Sequence, residues 1–203
     1  MRVRVLSLLV LALLVAACGE HEKTGSKSGW TRHAVADGRF SVETPASWKT
    51  LTNIDPKKLE KLAGPPELAP YAQALIRNKA IKLISLDPAI QDDFSSNLNV
   101  IVSPLNSTVT LAGWIEAENR VTRRVAVPGS LRTTYVELPA GQAARVTWEL
   151  QANAGDGNAR TASLQFLFLH NGNGYVLTYT TLPQLTEQYR ATFARSARSF
   201  RFD

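Results

Sequence analysis

The sequence predicts a mixed α+β domain: a central antiparallel sheet with helices on both of its faces. Three observations carry this. Consecutive strand-like segments are joined by turn clusters, Asn171-Gly172-Asn173-Gly174 above all, which is how an antiparallel meander is written. Helix-period segments stand between and after the strands, so elements of both kinds must share one core. The segment Leu164–Leu169 carries Leu164, Phe166 and Phe168 on one face but Leu167 and Leu169 on the other, so both faces of the sheet need a cover.

In chain order, residues 1–17 form an export leader. Arg2 and Arg4 make a positive start, and Val5–Val15 is an apolar run broken only by Ser7. Its 11 residues fall well short of the roughly 20 that span a bilayer as a helix. The run ends Val15-Ala16-Ala17-Cys18, which resembles the lipobox of bacterial lipoproteins. That resemblance implies cleavage before Cys18 and diacylglyceryl transfer to its thiol, leaving palmitate-type chains on the first residue of the mature protein. One acyl chain anchors only marginally, and two or three hold a domain at a membrane. Cys18 is the sole cysteine, so acylation leaves no thiol for a disulfide, a nucleophile or a metal site. Residues 18–29 continue as a polar Gly/Ser/Lys stretch that reads as a flexible tether.

Residues 30–203 then form a single globular domain. Phe40, Val42 and Thr44 alternate with polar residues, predicting a strand that Pro45 ends. Asp55-Pro56 opens a short helix that Pro65-Pro66 closes. A second helix is expected over about Glu67–Asn78, with Leu68, Tyr71, Ala72, Leu75 and Ile76 on one face. Ile81–Leu86 and Leu98–Val102 are expected strands, and Asp87–Ser96 between them is expected as a loop rich in turn formers. Thr110 caps a helix to about Arg124, with Leu111, Trp114, Ile115, Val121 and Val125 inside. Strands follow at Leu131–Leu138, Ala144–Leu150, Leu164–Leu169 and Tyr175–Thr181, with Gly155-Asp156-Gly157-Asn158 as a turn. A final helix over Pro183–Ser199 places Leu185, Tyr189 and Phe193 on its apolar stripe and Arg190, Arg195 and Arg198 off it, and Phe200 and Phe202 close the chain as an apolar anchor.

This order, with "GRFSVETPASW", "NLNVIV", "TLAGWIEAENRVTR" and the "GNGYVLTYTT"–helix–"SFRF" ending, resembles the PsbP-like family. That family includes the PsbP subunit of photosystem II, its bacterial relatives and LpqN-type lipoproteins. The resemblance spans roughly residues 36–203 and implies an α/β/α sandwich about an antiparallel sheet. It implies binding and assembly roles rather than one chemistry. The segment at about 55–79 departs from the shorter bacterial pattern.

Charge and motifs exclude several classes. The formal charge is +6, and Arg2 and Arg4 take two of these with the leader, leaving +4. There is no basic run of the kind nucleic acid favours. The sequence holds no GxSxG, Walker loop or HExxH spacing, so no catalytic residue, metal site or cofactor is assigned and a non-enzymatic protein is expected. Asp87, Asp92, Asp93 and Asn97 offer oxygen ligands for calcium, but not at EF-hand spacing, and a solvated loop is the simpler reading.

Glu118 stands out, because the helix wheel sets it among Leu111, Trp114, Ile115, Val121 and Val125. Such a carboxylate needs a partner or exposure. It is a rim position, or an ion pair with an arginine from the sheet, or one polar group inside a ligand pocket with Trp114, Trp148 and Tyr175 as aromatic wall residues. The expected function is a membrane-anchored adaptor or assembly factor for an envelope protein, located on the extracytoplasmic side. The alternative is a carrier or sensor that holds a small apolar or amphipathic ligand between sheet and helix. Helix arginines are expected on solvated faces, available to an acidic partner or to anionic lipid.

Overall fold

Alternating segments and paired turns assemble two antiparallel sheets in a computed structural model, which describes residues 29–52, 54, 69–154 and 157–203. Cys18, the tether, the Asp55-Pro56 helix, the start of the expected Glu67–Asn78 helix and the Gly155-Asp156 turn lie outside the described residues.

The small sheet has the order β1-β2-β10, from β1 (Trp30–Val35), β2 (Phe40–Pro45) and β10 (Arg201–Phe202). The large sheet is seven-stranded. Its strands are β3 (Lys49–Thr52), β4 (Ile81–Gln91), β5 (Phe94–Pro104), β6 (Arg132–Leu138), β7 (Gly141–Ala154), β8 (Gly157–His170) and β9 (Asn173–Thr181), in the order β3-β4-β5-β9-β8-β7-β6. Helices α1 (Ala69–Arg77) and α2 (Leu111–Thr122) cover one face. Helix α3 (Thr186–Ser199) and the small sheet cover the other. The expected sandwich is therefore present, with a three-stranded sheet added to one of its outer layers.

Two differences from the sequence expectation have local causes. Asp87–Ser96 is not a loop. Strand β4 runs on through Gln91, turns at Asp92-Asp93 and returns as β5. Both aspartates sit in the left-handed region, at φ 49° and 57°, the geometry that a two-residue hairpin turn demands and that Asp tolerates better than most residues. Pro88 is accommodated because the register shifts between Leu86 and Ile90, freeing it from the ladder. The second difference is β1 and β3, short strands with little apolar alternation. They are held by pairing to β2 and β4 respectively.

The Asn171-Gly172 turn is formed as the sequence signalled, with φ 47° and 72°. Gly174, two residues on, serves another purpose. A Cβ there would sit 2.7 Å from Trp114 Cη2 and 2.8 Å from Leu105 Cδ1, so the glycine lets the α2 indole lie directly on the sheet.

Each sheet face has its own core. On the α1/α2 face, Leu75, Ile84, Ile101, Trp114, Ile115, Val146, Trp148 and Val176 pack together. On the α3 face, Phe40, Leu98, Val100, Phe168, Tyr175, Tyr179, Phe193 and Phe200 do so. The expected terminal anchor is part of the second core. Phe200 is fully buried and stacks on Phe168, and Phe202 stacks on His170 at a 4.0 Å centroid distance.

Candidate functional site

Helix α2 begins at Thr110, whose Oγ1 accepts from Gly113 N at 3.2 Å, the N-cap its sequence promised. Its inward stripe is Trp114, Ile115, Glu118 and Thr122. Glu118 is 6 % exposed, and its Oε1 accepts a hydrogen bond from Trp114 Nε1 at 3.1 Å, one helical turn back. Thr122 Oγ1 donates to the Glu118 carbonyl at 3.0 Å.

Trp148 belongs to the same core as Trp114, whereas Tyr175 belongs to the core on the opposite face of the sheet. The two-residue period of β9 places Val176 toward α2 and Tyr175 toward α3. The four residues Glu118, Trp114, Trp148 and Tyr175 therefore do not line one wall.

The sheet beneath α1 and α2 carries a polar belt that the sequence reading missed. Asn99, Thr178 and Gln165 lie side by side in register, as do Asn97, Thr180 and Ser163 in the next row, with Trp148 beside Ser163. All of these are at most 4 % exposed. Gln165 Nε2 donates to Thr178 Oγ1 at 3.1 Å, and Asn97 Nδ2 to the Ser95 carbonyl at 3.1 Å. Trp148 Nε1, Thr161 Oγ1, Ser163 Oγ and Thr180 Oγ1 are buried without a hydrogen-bond partner. Each such atom costs about 1–3 kcal/mol of desolvation, so the belt is not an ordinary core surface.

Helix α3 is fastened to its face by hydroxyls. Ser196 Oγ donates to the Glu43 carbonyl at 2.7 Å and accepts from Tyr179 Oη at 3.1 Å. Ser199 Oγ accepts from Glu43 N at 2.7 Å. Tyr189 Oη donates to Asp87 Oδ2 at 2.7 Å. Burial first, and then that bond to Asp87, push the Tyr189 hydroxyl up to about 12, so it stays protonated and remains a donor. Asp92 Oδ2 accepts from Gln184 at 3.1 Å. Two of the aspartates considered for calcium thus fasten the β4–β5 hairpin to the α3 segment.

Helix α3 packs on β2 and β9 and leaves open on this face the stretch of β7 and β8 around Thr147 and Leu164. The result is a groove of about 200 Å³. Arg145, Thr147 and Glu149 of β7 alternate along one side, Leu164 of β8 lies in the floor, and Thr186, Arg190 and Phe193 of α3 form the far wall. Glu149 is ion-paired with Arg160, and Arg190 with Glu187. Arg145 is exposed and has no ion-pair partner among the described residues. The groove can hold an anion beside an apolar group. The sequence did signal its parts. Arg145, Thr147 and Glu149 are the polar alternation of one expected strand, and Arg190 is one of the off-stripe helix arginines.

Among the described residues no helix is long and apolar enough to cross a membrane, and no group of three or more His, Cys, Asp or Glu side chains converges as a metal site. By sequence, the chain matches no protein-family profile and no curated protein. By structure it is similar to the cyanobacterial PsbP, CyanoP, of Synechocystis sp. PCC 6803, with TM-score 0.53 and 15 % identity over 91 % of this chain and 98 % of that one. It is similar to LpqN, involved in cell envelope biogenesis of Mycobacterium tuberculosis, with TM-score 0.53 and 10 % identity over 85 % and 90 %. A Pseudomonas aeruginosa protein of unknown function, PA94, described as a putative regulator, gives TM-score 0.51 and 10 % identity over 84 % and 94 %. At such identities the likeness is one of fold, and the fold of this chain is PsbP-like.

Proposed function

We propose that the protein is a lipid-anchored, non-enzymatic adaptor at the bacterial cell envelope, held by an acylated Cys18 and docking another envelope protein through its folded domain. One observation carries the choice of a protein partner. The groove beside α3 encloses about 200 Å³, below the roughly 300–1,000 Å³ of clefts that surround drug-sized ligands. It suits one or two side chains of another protein better than a whole lipid or cofactor. The envelope role of LpqN, a structure of the same fold, agrees with this placement.

A second reading rests on the polar belt. Its unpartnered Trp148, Thr161, Ser163 and Thr180 atoms favour a carrier whose amphipathic ligand presents hydroxyl or amide groups to the sheet beneath α2.

The test is Cys18→Ser in the native host, followed by fractionation and chemical crosslinking. The substituted protein is expected to leave the membrane pellet for the soluble fraction. It is also expected to lose most of its partner crosslink, because tethering raises effective concentration. Cys18→Ser protein that still sediments with membranes would contradict the anchor. An undiminished crosslink to one protein would contradict the tethered mode, and no protein crosslink from the unsubstituted chain would contradict the adaptor.

A further inference from the structure

We infer that the groove between β7–β8 and α3 is the docking site itself, and that its occupant is a segment of the partner protein carrying a carboxylate beside an apolar side chain. This deepens the adaptor reading and rests on it. Leu164 and Phe193 make the floor and far wall apolar, and Phe193 is 3 % exposed, fixed in the second core by its contacts with Tyr179 and Tyr189. That gives a rigid apolar seat rather than a mobile flap.

Charge selects the other half of the occupant. Three guanidinium groups, Arg145, Arg160 and Arg190, stand at or beside the groove, against the carboxylates of Glu149 and Glu187. The Glu187–Arg190 pair is an exposed neighbour pair on one helix, of the kind that contributes little and is readily exchanged. Arg145 is the surplus cation. It lies directly across from Phe166 on β8 and Thr134 on β6, so its guanidinium is carried on a paired strand between two neighbours. A planar donor fork on a rigid strand recognises a carboxylate in two-point geometry.

An anionic membrane surface would meet the same arginines, but it would not need a concave apolar seat. A bilayer-facing patch would instead set exposed apolar residues among the cations. Among the described residues, the exposed large apolar ones are Leu51, Ile90 and Tyr135. They lie on β3, β4 and β6 rather than among the groove residues. The observations therefore favour a peptide segment.

The test places a photo-crosslinking benzoylphenylalanine at Thr147 in the full-length protein within its native cells, with a second version at Leu51 on the far edge strand. The expected result is a protein adduct at position 147 whose crosslinked peptide carries Asp or Glu next to an apolar residue. Arg145→Glu should lower its yield at least tenfold with an unchanged melting temperature, while Arg145→Lys should keep a substantial part of it. Arg190→Glu should lower the yield as well. A yield indifferent to Arg145→Glu, or an adduct with lipid alone, overturns the inference. An adduct at Leu51 without one at Thr147 also overturns it and leaves the adaptor reading standing, whereas no protein adduct from either position sinks both.

Discussion

At the scale of single residues, the buried polar groups separate fastening from function. Glu118 is held by the indole of Trp114 one turn away, and the wheel that placed it among apolar neighbours already showed that it needed a partner. The wheel sets Trp114 and Glu118 four residues apart on one face, but does not show that the indole N–H turns toward the carboxylate. His33 is a clearer physical probe. Its Nε2 lies 3.0 Å from Thr44 Oγ1, which lies 3.2 Å from Thr50 Oγ1, which in turn lies 2.7 Å from Ser85 Oγ, a chain that links the small sheet to the large one. Burial pushes the His33 imidazole below its usual range. The unfolded chain therefore takes up a proton near pH ~6.5, where the folded chain does not. Below that pH the unfolded state binds more protons, so the stabilisation from neutral His33 is complete above about 6.5 and is lost as pH falls toward the lower folded value. Denaturant titrations from pH 5 to 7.5 should show a stability slope that His33→Gln flattens, and an unaltered slope would refute this account of His33.

At the scale of elements, strength comes from a few hydroxyls between α3 and β2. Ser196→Ala would leave the Tyr179 hydroxyl and the Glu43 carbonyl without their partner. The expected loss is about 1–3 kcal/mol, read as a fall in the urea midpoint at unchanged slope. A change below ~0.5 kcal/mol would mean that the packing of α3 stands without these bonds.

The same scale shows what the sequence could tell. Helices α2 and α3 were legible because their apolar stripes and the Thr110 cap are local signals. The Asn171-Gly172 hairpin was legible because few dipeptides tolerate two positive φ angles. The Asp92-Asp93 hairpin was not, because two aspartates with a proline nearby read as a solvated loop, and the register shift that absorbs Pro88 depends on the partner strand. Strand β3 (Lys49–Thr52) has no apolar alternation to read, and its pairing with β4 alone makes it a strand. The polar belt was hidden for a related reason. In "FSSNLNVIV" the polar positions alternate with Leu98 and Val100 just as a solvent face would, and nothing in that alternation shows that Asn97 and Asn99 are buried.

At the scale of the whole molecule, the two faces of the large sheet divide the work. One face closes a core over a buried polar belt, and the other is sealed by α3 and the small sheet except over the stretch of β7 and β8 around Thr147 and Leu164, where the arginine-rimmed groove opens. The fold class and the layer order were legible from patterning. The groove was not, because its existence depends on how far α3 reaches across seven strands, a tertiary quantity that no local period encodes. On the proposed reading, an acylated Cys18 behind a leader of residues 1–17 would place the domain at a membrane, and the groove of side-chain size would hold a segment of another protein.

Native mass spectrometry of the protein purified from its own membranes in mild detergent tests that claim most directly, since one spectrum reads the N-terminal modification, any small molecule and any protein partner. The account predicts a chain beginning at an acylated Cys18, in a complex with one other protein that dissociates as salt is raised. A chain with unmodified Cys18, or an acylated chain carrying a small molecule and no protein, would contradict it.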